Sequence, residues 1–155
     1  MFKFHQQNEI GKRGEELFQK LYPQFRPNNV SDVKAPDFID DQGRIAEIKL
    51  DVSTRARRDK DGNQLNFFME TISNDRRNTP GGLLRAQQEG VHFYVYMFEN
   101  PQRVFVMDVE KAVAKMQELI DTNWYRQCRI KNPNYYTIGY PLPIEMFKDT
   151  FVTFN

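Results

Sequence analysis

Apolar residues at Ile10, Leu17, Phe18, Leu21 and Tyr22 in NEIGKRGEELFQKLYP fall on one helical stripe, which Pro23 ends. FRPNNVSD follows, a loop by its proline and asparagine content. The period then changes. PDFIDDQGRIAEIKLD reads as two strands around Asp41-Gln42-Gly43, with glycine where a left-handed residue is often needed. VSTRARRDKDGNQ is a charged loop, and LNFFMETIS is a third strand by its β-branched and aromatic content. After NDRRNTPGG come a short helical piece, LLRAQQEG, and a continuous apolar run, VHFYVYMFEN, expected as a buried central strand. The turn NPQ leads to a fifth strand, RVFVMD. Asp108 is placed to cap the next helix, whose apolar face is Val109, Ala112, Val113, Met116, Leu119 and Ile120. The tail is aromatic and proline-rich, and its pattern assigns it only loosely. The expected architecture is a single α/β domain over residues 1–155, its core about 7–121 and its tail 122–155. A helix comes first, then a mixed sheet of about five strands with helices packed on it.

Composition changes little in that picture. The hydrophobic share of 39% is low, but phenylalanine and tyrosine are abundant and bury large areas each. No apolar run approaches the roughly 18 residues needed to span a bilayer, and no charged-then-apolar leader opens the sequence. With a single cysteine, Cys128, no internal disulfide is available, and a reducing cytoplasm is the expected compartment. A net charge of +1 argues against binding nucleic acid by bulk charge alone. Local density is another matter, because Arg55, Arg57, Arg58 and Lys60 crowd one loop and Arg126, Arg129 and Lys131 another. Such clusters are either solvated faces or phosphate-contacting edges.

The candidate chemistry sits on the hairpin. If it turns symmetrically about Gln42, residues whose numbers add to 84 face each other, and Asp37 lies across from Glu47. Lys49, two residues after Glu47, projects from the same face, while Phe38, Ala46, Ile48 and Leu50 point to the other. A slip of one residue destroys the convergence. Two carboxylates that close repel unless a cation sits between them, and hard oxygen ligands suit Mg²⁺ or Mn²⁺ rather than zinc. Phosphoryl chemistry of this kind needs Asp37 and Glu47 as metal ligands, the Ile48 carbonyl as a further ligand, and Lys49 to position the attacking water.

Pro36-Asp37 followed by Glu47-Ile48-Lys49 resembles the signature of the PD-(D/E)XK nuclease superfamily. The resemblance implies a restriction-endonuclease-like αβββαβ core, Mg²⁺ with Mn²⁺ as a substitute, and DNA, duplex or branched, as the partner. It also implies a supporting glutamate four residues after a glycine on the first helix, a spacing that Gly11 and Glu15 have. FFMETIS is similar to the strand that follows Glu-X-Lys in several such nucleases, which makes Glu70 a candidate second metal ligand or a partner for Lys49. Thr79-Pro80-Gly81-Gly82 is similar to a glycine turn before a helix in the same relatives. Gln87 and Gln88 on that helix are weaker candidates for contact with water or DNA. Arg55, Arg57, Arg58, Lys60, Arg76 and Arg77 are the candidate phosphate contacts.

The expected function is therefore a divalent-metal-dependent DNA endonuclease, structure- or end-directed and similar to Holliday junction resolvases. By that analogy it is a homodimer joined through the apolar tail YYTIGYPLPIEMF, with no membrane partner. The alternative is a catalytically silent nucleic-acid-binding module or assembly subunit on the same fold. Two histidines, His5 and His92, form no metal-binding pair, and neither a Gly-x-x-x-x-Gly-Lys loop nor a dinucleotide fingerprint is present.

Overall fold

The structure, a computed structural model, describes residues 4–28, 38–54 and 56–154. Asp37 and Arg55 lie outside the described residues. Helix α1 (Phe4–Leu21) opens the chain, followed by β1 (Arg26–Pro27), β2 (Phe38–Ile39) and β3 (Ile45–Asp51). Next come β4 (Asn66–Asn74), β5 (Thr79–Pro80), α2 (Gly82–Gln88), β6 (Phe93–Glu99) and β7 (Gln102–Asp108). The chain finishes with α3 (Val109–Asp121), β8 (Cys128–Lys131), β9 (Tyr136–Pro143) and a 3₁₀ helix, Ile144–Thr150.

The α/β class and a mixed sheet of five strands are present, in the order β1-β2-β3-β6-β7. β3 and β6 run parallel, the other neighbours antiparallel. The hairpin has the expected register, since Phe38 pairs with Ala46 and Ile39 with Ile45. Its turn shows why. Gly43 takes φ 78°, and the Asp40 carboxylate accepts the N–H groups of Gln42 and Arg44 at 3.0 and 2.8 Å. A carboxylate that satisfies the turn's own donors fixes the loop length, and loop length fixes register.

β6 is buried on both sides, as a continuous apolar strand should be. Phe93, Val95 and Met97 join Phe18, Phe25, Phe38, Ala46 and Val106 in one cluster beneath α1. Gly14 lets α1 lie close on β3, because a Cβ there would sit 3.1 Å from Leu50 Cβ. From the other side of β6, Tyr94, Tyr96 and Phe98 enter the larger cluster with Phe67, Met69, Leu83, Ala86, Met116, Leu142 and Phe147. The Asp108 side chain caps α3 as expected, accepting from Lys111 N–H at 2.9 Å.

One expectation is corrected. LNFFMETIS does not belong to the first sheet; as β4 it sits in a second, four-stranded sheet of order β5-β4-β9-β8. In the first sheet β3 pairs instead with β6, from Ala46↔Phe93 to Asp51↔Phe98. The tail is partly built into the fold. It supplies β9, the partner of β4, and Leu142, Ile144 and Phe147 are buried in the larger core. Tyr136 and Met146 of the same segment stay exposed.

Candidate active site

Alternation along β3 puts Glu47, Lys49 and Asp51 on the face turned away from α1, since Ala46, Ile48 and Leu50 pack with the α1 cluster. Each of the three meets a partner from a different element. Arg85 of α2 donates to Glu47 Oε1 at 2.7 Å. Lys49 Nζ donates to Glu70 Oε2 of β4 at 3.0 Å. Asp51 accepts from the Tyr96 hydroxyl, which in turn accepts the Phe68 N–H at 3.0 Å.

Glycines set this convergence. A Cβ on Gly81 would lie 1.9 Å from the Glu70 carbonyl oxygen, so only glycine lets the start of α2 press against β4 there. A Cβ on Gly82 would sit 2.9 Å from the Tyr94 hydroxyl. The TPGG segment is thus explained by close packing. It delivers Arg85, one turn later, to Glu47.

Burial opposes the charge on Lys49, but Glu70, Tyr94 and Asp51 outweigh it and hold the amine above its ordinary range. Lys49 is a fixed cation at neutral pH, suited to holding an anion or a water and not to accepting a proton. Burial likewise works against Arg85, and Glu47 outweighs it. Tyr94 is pushed upward chiefly by burial, so its hydroxyl stays neutral.

Of the other expected residues, Glu70 is found as the partner of Lys49. Glu15 is half-buried on α1, which packs on the face opposite Glu47 and Lys49. It makes no ion pair among the described residues, and burial followed by the Glu16 charge raises its carboxyl. Arg58 is committed to structure, donating to the carbonyls of Gly62 and Asn100. Arg57, Lys60, Arg76 and Arg77 are exposed. Gln87 bonds Glu110 of α3 at 3.0 Å, and Gln88 is exposed. His92 accepts the Ile45 N–H on Nδ1 at 3.0 Å, a hydrogen-bonded strand-end residue as expected.

Sequence reasoning missed Arg85 and Asp51. For Asp51 the signal was present, two positions beyond Lys49 in the same alternation. Arg85 had only the mark of a lone cation on an otherwise apolar and amide helix.

The donor chemistry here is that of a hard cation: Glu47 offers carboxylate oxygen and Ile48 a carbonyl on the same strand. Among the described residues no group of three or more His, Cys, Asp or Glu side chains converges as a metal cage. Arg85 supplies to Glu47 the positive charge that a metal would otherwise supply. Arg85 bonds the Oε1 oxygen of Glu47, and Asp37, the other expected ligand, lies outside the described residues. No family model matches the chain, and searches of curated proteins and of solved structures find no match. No described helix is long and apolar enough to cross a membrane.

Proposed function

We propose that the chain is a divalent-metal-dependent DNA phosphodiesterase of the PD-(D/E)XK kind, structure- or end-directed rather than sequence-specific. The observation that carries this reading is the hairpin register, Phe38↔Ala46 and Ile39↔Ile45, with Glu47 and Lys49 on one face of β3. Asp37 and Glu47 would hold Mg²⁺ with the Ile48 carbonyl, and the ion would supply Lewis acidity and a more acidic water. Lys49, held protonated, orients that water and meets the charge that builds on the phosphate oxygens. Glu70 holds the amine in place, and Arg85, once released from Glu47, is a second cation for the scissile phosphate. Arg57 and Lys60 are proposed as backbone contacts, indifferent to base identity.

The Arg85–Glu47 pair also favours a second reading, a silent nucleic-acid-binding module. There the acid of the motif is neutralised permanently by Arg85. Incubating the protein with supercoiled plasmid, linear duplex, single strands and a four-way junction, with Mg²⁺, Mn²⁺ or chelator, separates the two. Metal-dependent cutting of any of these supports the enzyme, and binding without cutting supports the module.

A further inference from the structure

The far end of the second sheet carries a surface that the β3 site does not use. Residues 124–136, WYRQCRIKNPNYY, hold Arg126, Arg129 and Lys131 and no acid. Trp124, the chain's single tryptophan, is 84% exposed in the connector before β8. Register places Lys131 opposite Tyr136 and Arg129 opposite Ile138, so Arg129, Lys131 and Tyr136 share a face. The Arg129 guanidinium lies 4.5 Å from the centre of the Tyr136 ring.

A second cationic segment is tied to this one. Asp75 accepts the Tyr136 N–H at 2.9 Å and pairs with Arg129 at 3.6 Å. That fastens the β4–β5 turn beside the end of β8 and β9. Within the turn the Asn74 side chain accepts the backbone N–H groups of Arg76 and Arg77 at 3.0 and 3.2 Å. Both arginine side chains are exposed, and neither forms an ion pair among the described residues. Five cations thus face one acid on a chain whose net charge is only +1.

Exposed indole and phenol rings on segments rich in exposed cations suit one class of partner. Bases stack on aromatic faces whatever their identity, while arginine and lysine track the phosphates. Duplex DNA hides its base faces, and an acidic polypeptide has none to offer. We propose that this surface binds single-stranded nucleic acid, with bases stacked on Trp124 and Tyr136 and phosphates at Arg76, Arg77, Arg126 and Lys131. β8 is four residues long, or on the order of 13 Å at strand rise. The connector before it and the turn beside it therefore bracket a track of a few nucleotides. The inference does not rest on the phosphodiesterase reading, because it uses none of the β3 residues.

Trp124 is a built-in reporter. Titrating the full chain, in chelator, with a short oligothymidylate should quench its fluorescence. The logarithm of the binding constant should fall linearly with that of salt, with a slope of about 0.7 per phosphate neutralised. Arg76→Ala/Arg77→Ala/Lys131→Ala, whose side chains bury nothing, should melt as the wild type does and bind at least tenfold more weakly. Lys20→Ala, which removes an exposed cation of α1 outside both sites, should bind unchanged. The proposal is overturned if Trp124 does not respond, if polyglutamate or blunt duplex quenches as well as the oligonucleotide, if the triple variant binds normally, or if Lys20→Ala weakens binding as much as the triple variant does. A wild type that shows this binding but cuts none of the DNAs in Mg²⁺ or Mn²⁺ would sink the nuclease reading alone.

Discussion

Lys49 of the five-stranded sheet and Glu70 of the four-stranded sheet are joined by a 3.0 Å ion pair, both side chains less than a third exposed. The pair bridges the two sheets at the row of charged residues on β3. Lys49→Met keeps the aliphatic stem and strands the Glu70 carboxylate, at an expected cost of about 1–2 kcal/mol. Lys49→Met/Glu70→Gln should recover part of that loss in urea denaturation. A single variant as stable as the wild type would remove the pair from the fold's support.

Arg85 and Glu47 should be coupled in the same way. A double-mutant cycle of Arg85→Met and Glu47→Gln is expected to give about 1–2 kcal/mol of interaction energy. Added Mg²⁺ should shrink that coupling if the ion competes with Arg85 for Glu47, and should leave it unchanged if the pair is permanent.

Gly81 and Gly11 predict opposite outcomes for the same substitution. Gly81→Ala forces a methyl to 1.9 Å from the Glu70 carbonyl, a backbone atom that cannot swing aside. It should cost more than about 3 kcal/mol or prevent folding. Gly11, inside α1, has nothing within 4 Å of its would-be Cβ. There alanine should stabilise by about 0.5–1 kcal/mol. Thermal melts of the two variants side by side test the close approach of α2 and β4.

Asp40 predicts an acid limb. Burial alone would raise its carboxyl, but the N–H groups of Arg44 and Gln42 and the Arg44 guanidinium hold it below the usual range. Its folded value therefore lies below the unfolded one, about 3.9. The stability it contributes is full above that value and is lost as pH falls through the folded pKa. Asp40→Asn should flatten the loss of stability between about pH 5 and 2. An acid limb as steep as the wild type's would assign that loss to other carboxylates.

The parts of the fold that were legible in the sequence are those fixed by short-range pattern. α1, the hairpin with Gly43, the doubly buried β6 and the Asp108 cap each rest on neighbours within a few residues. The place of LNFFMETIS was not legible, because alternation says which face of a strand is buried and nothing about which edge it joins. Its partner β9 lies some seventy residues on, at Phe67↔Leu142 and Met69↔Tyr140, and contains Pro141 and Pro143, which mask its strand signal. At the site, the row Glu47, Lys49, Asp51 follows from a period of two. Arg85 reaches Glu47 only through the packing of α2 over Gly81 and Gly82, a tertiary fact that no local spacing records.

The most direct measurement is the initial rate of plasmid nicking against Mn²⁺ concentration for the wild type, Asp37→Asn and Lys49→Met, each checked for a native melt. The account predicts a rate that saturates with metal in the wild type, vanishes in chelator, and falls at least a hundredfold in both variants. Nicking that is independent of metal, or that survives in the folded Lys49→Met protein, would contradict it.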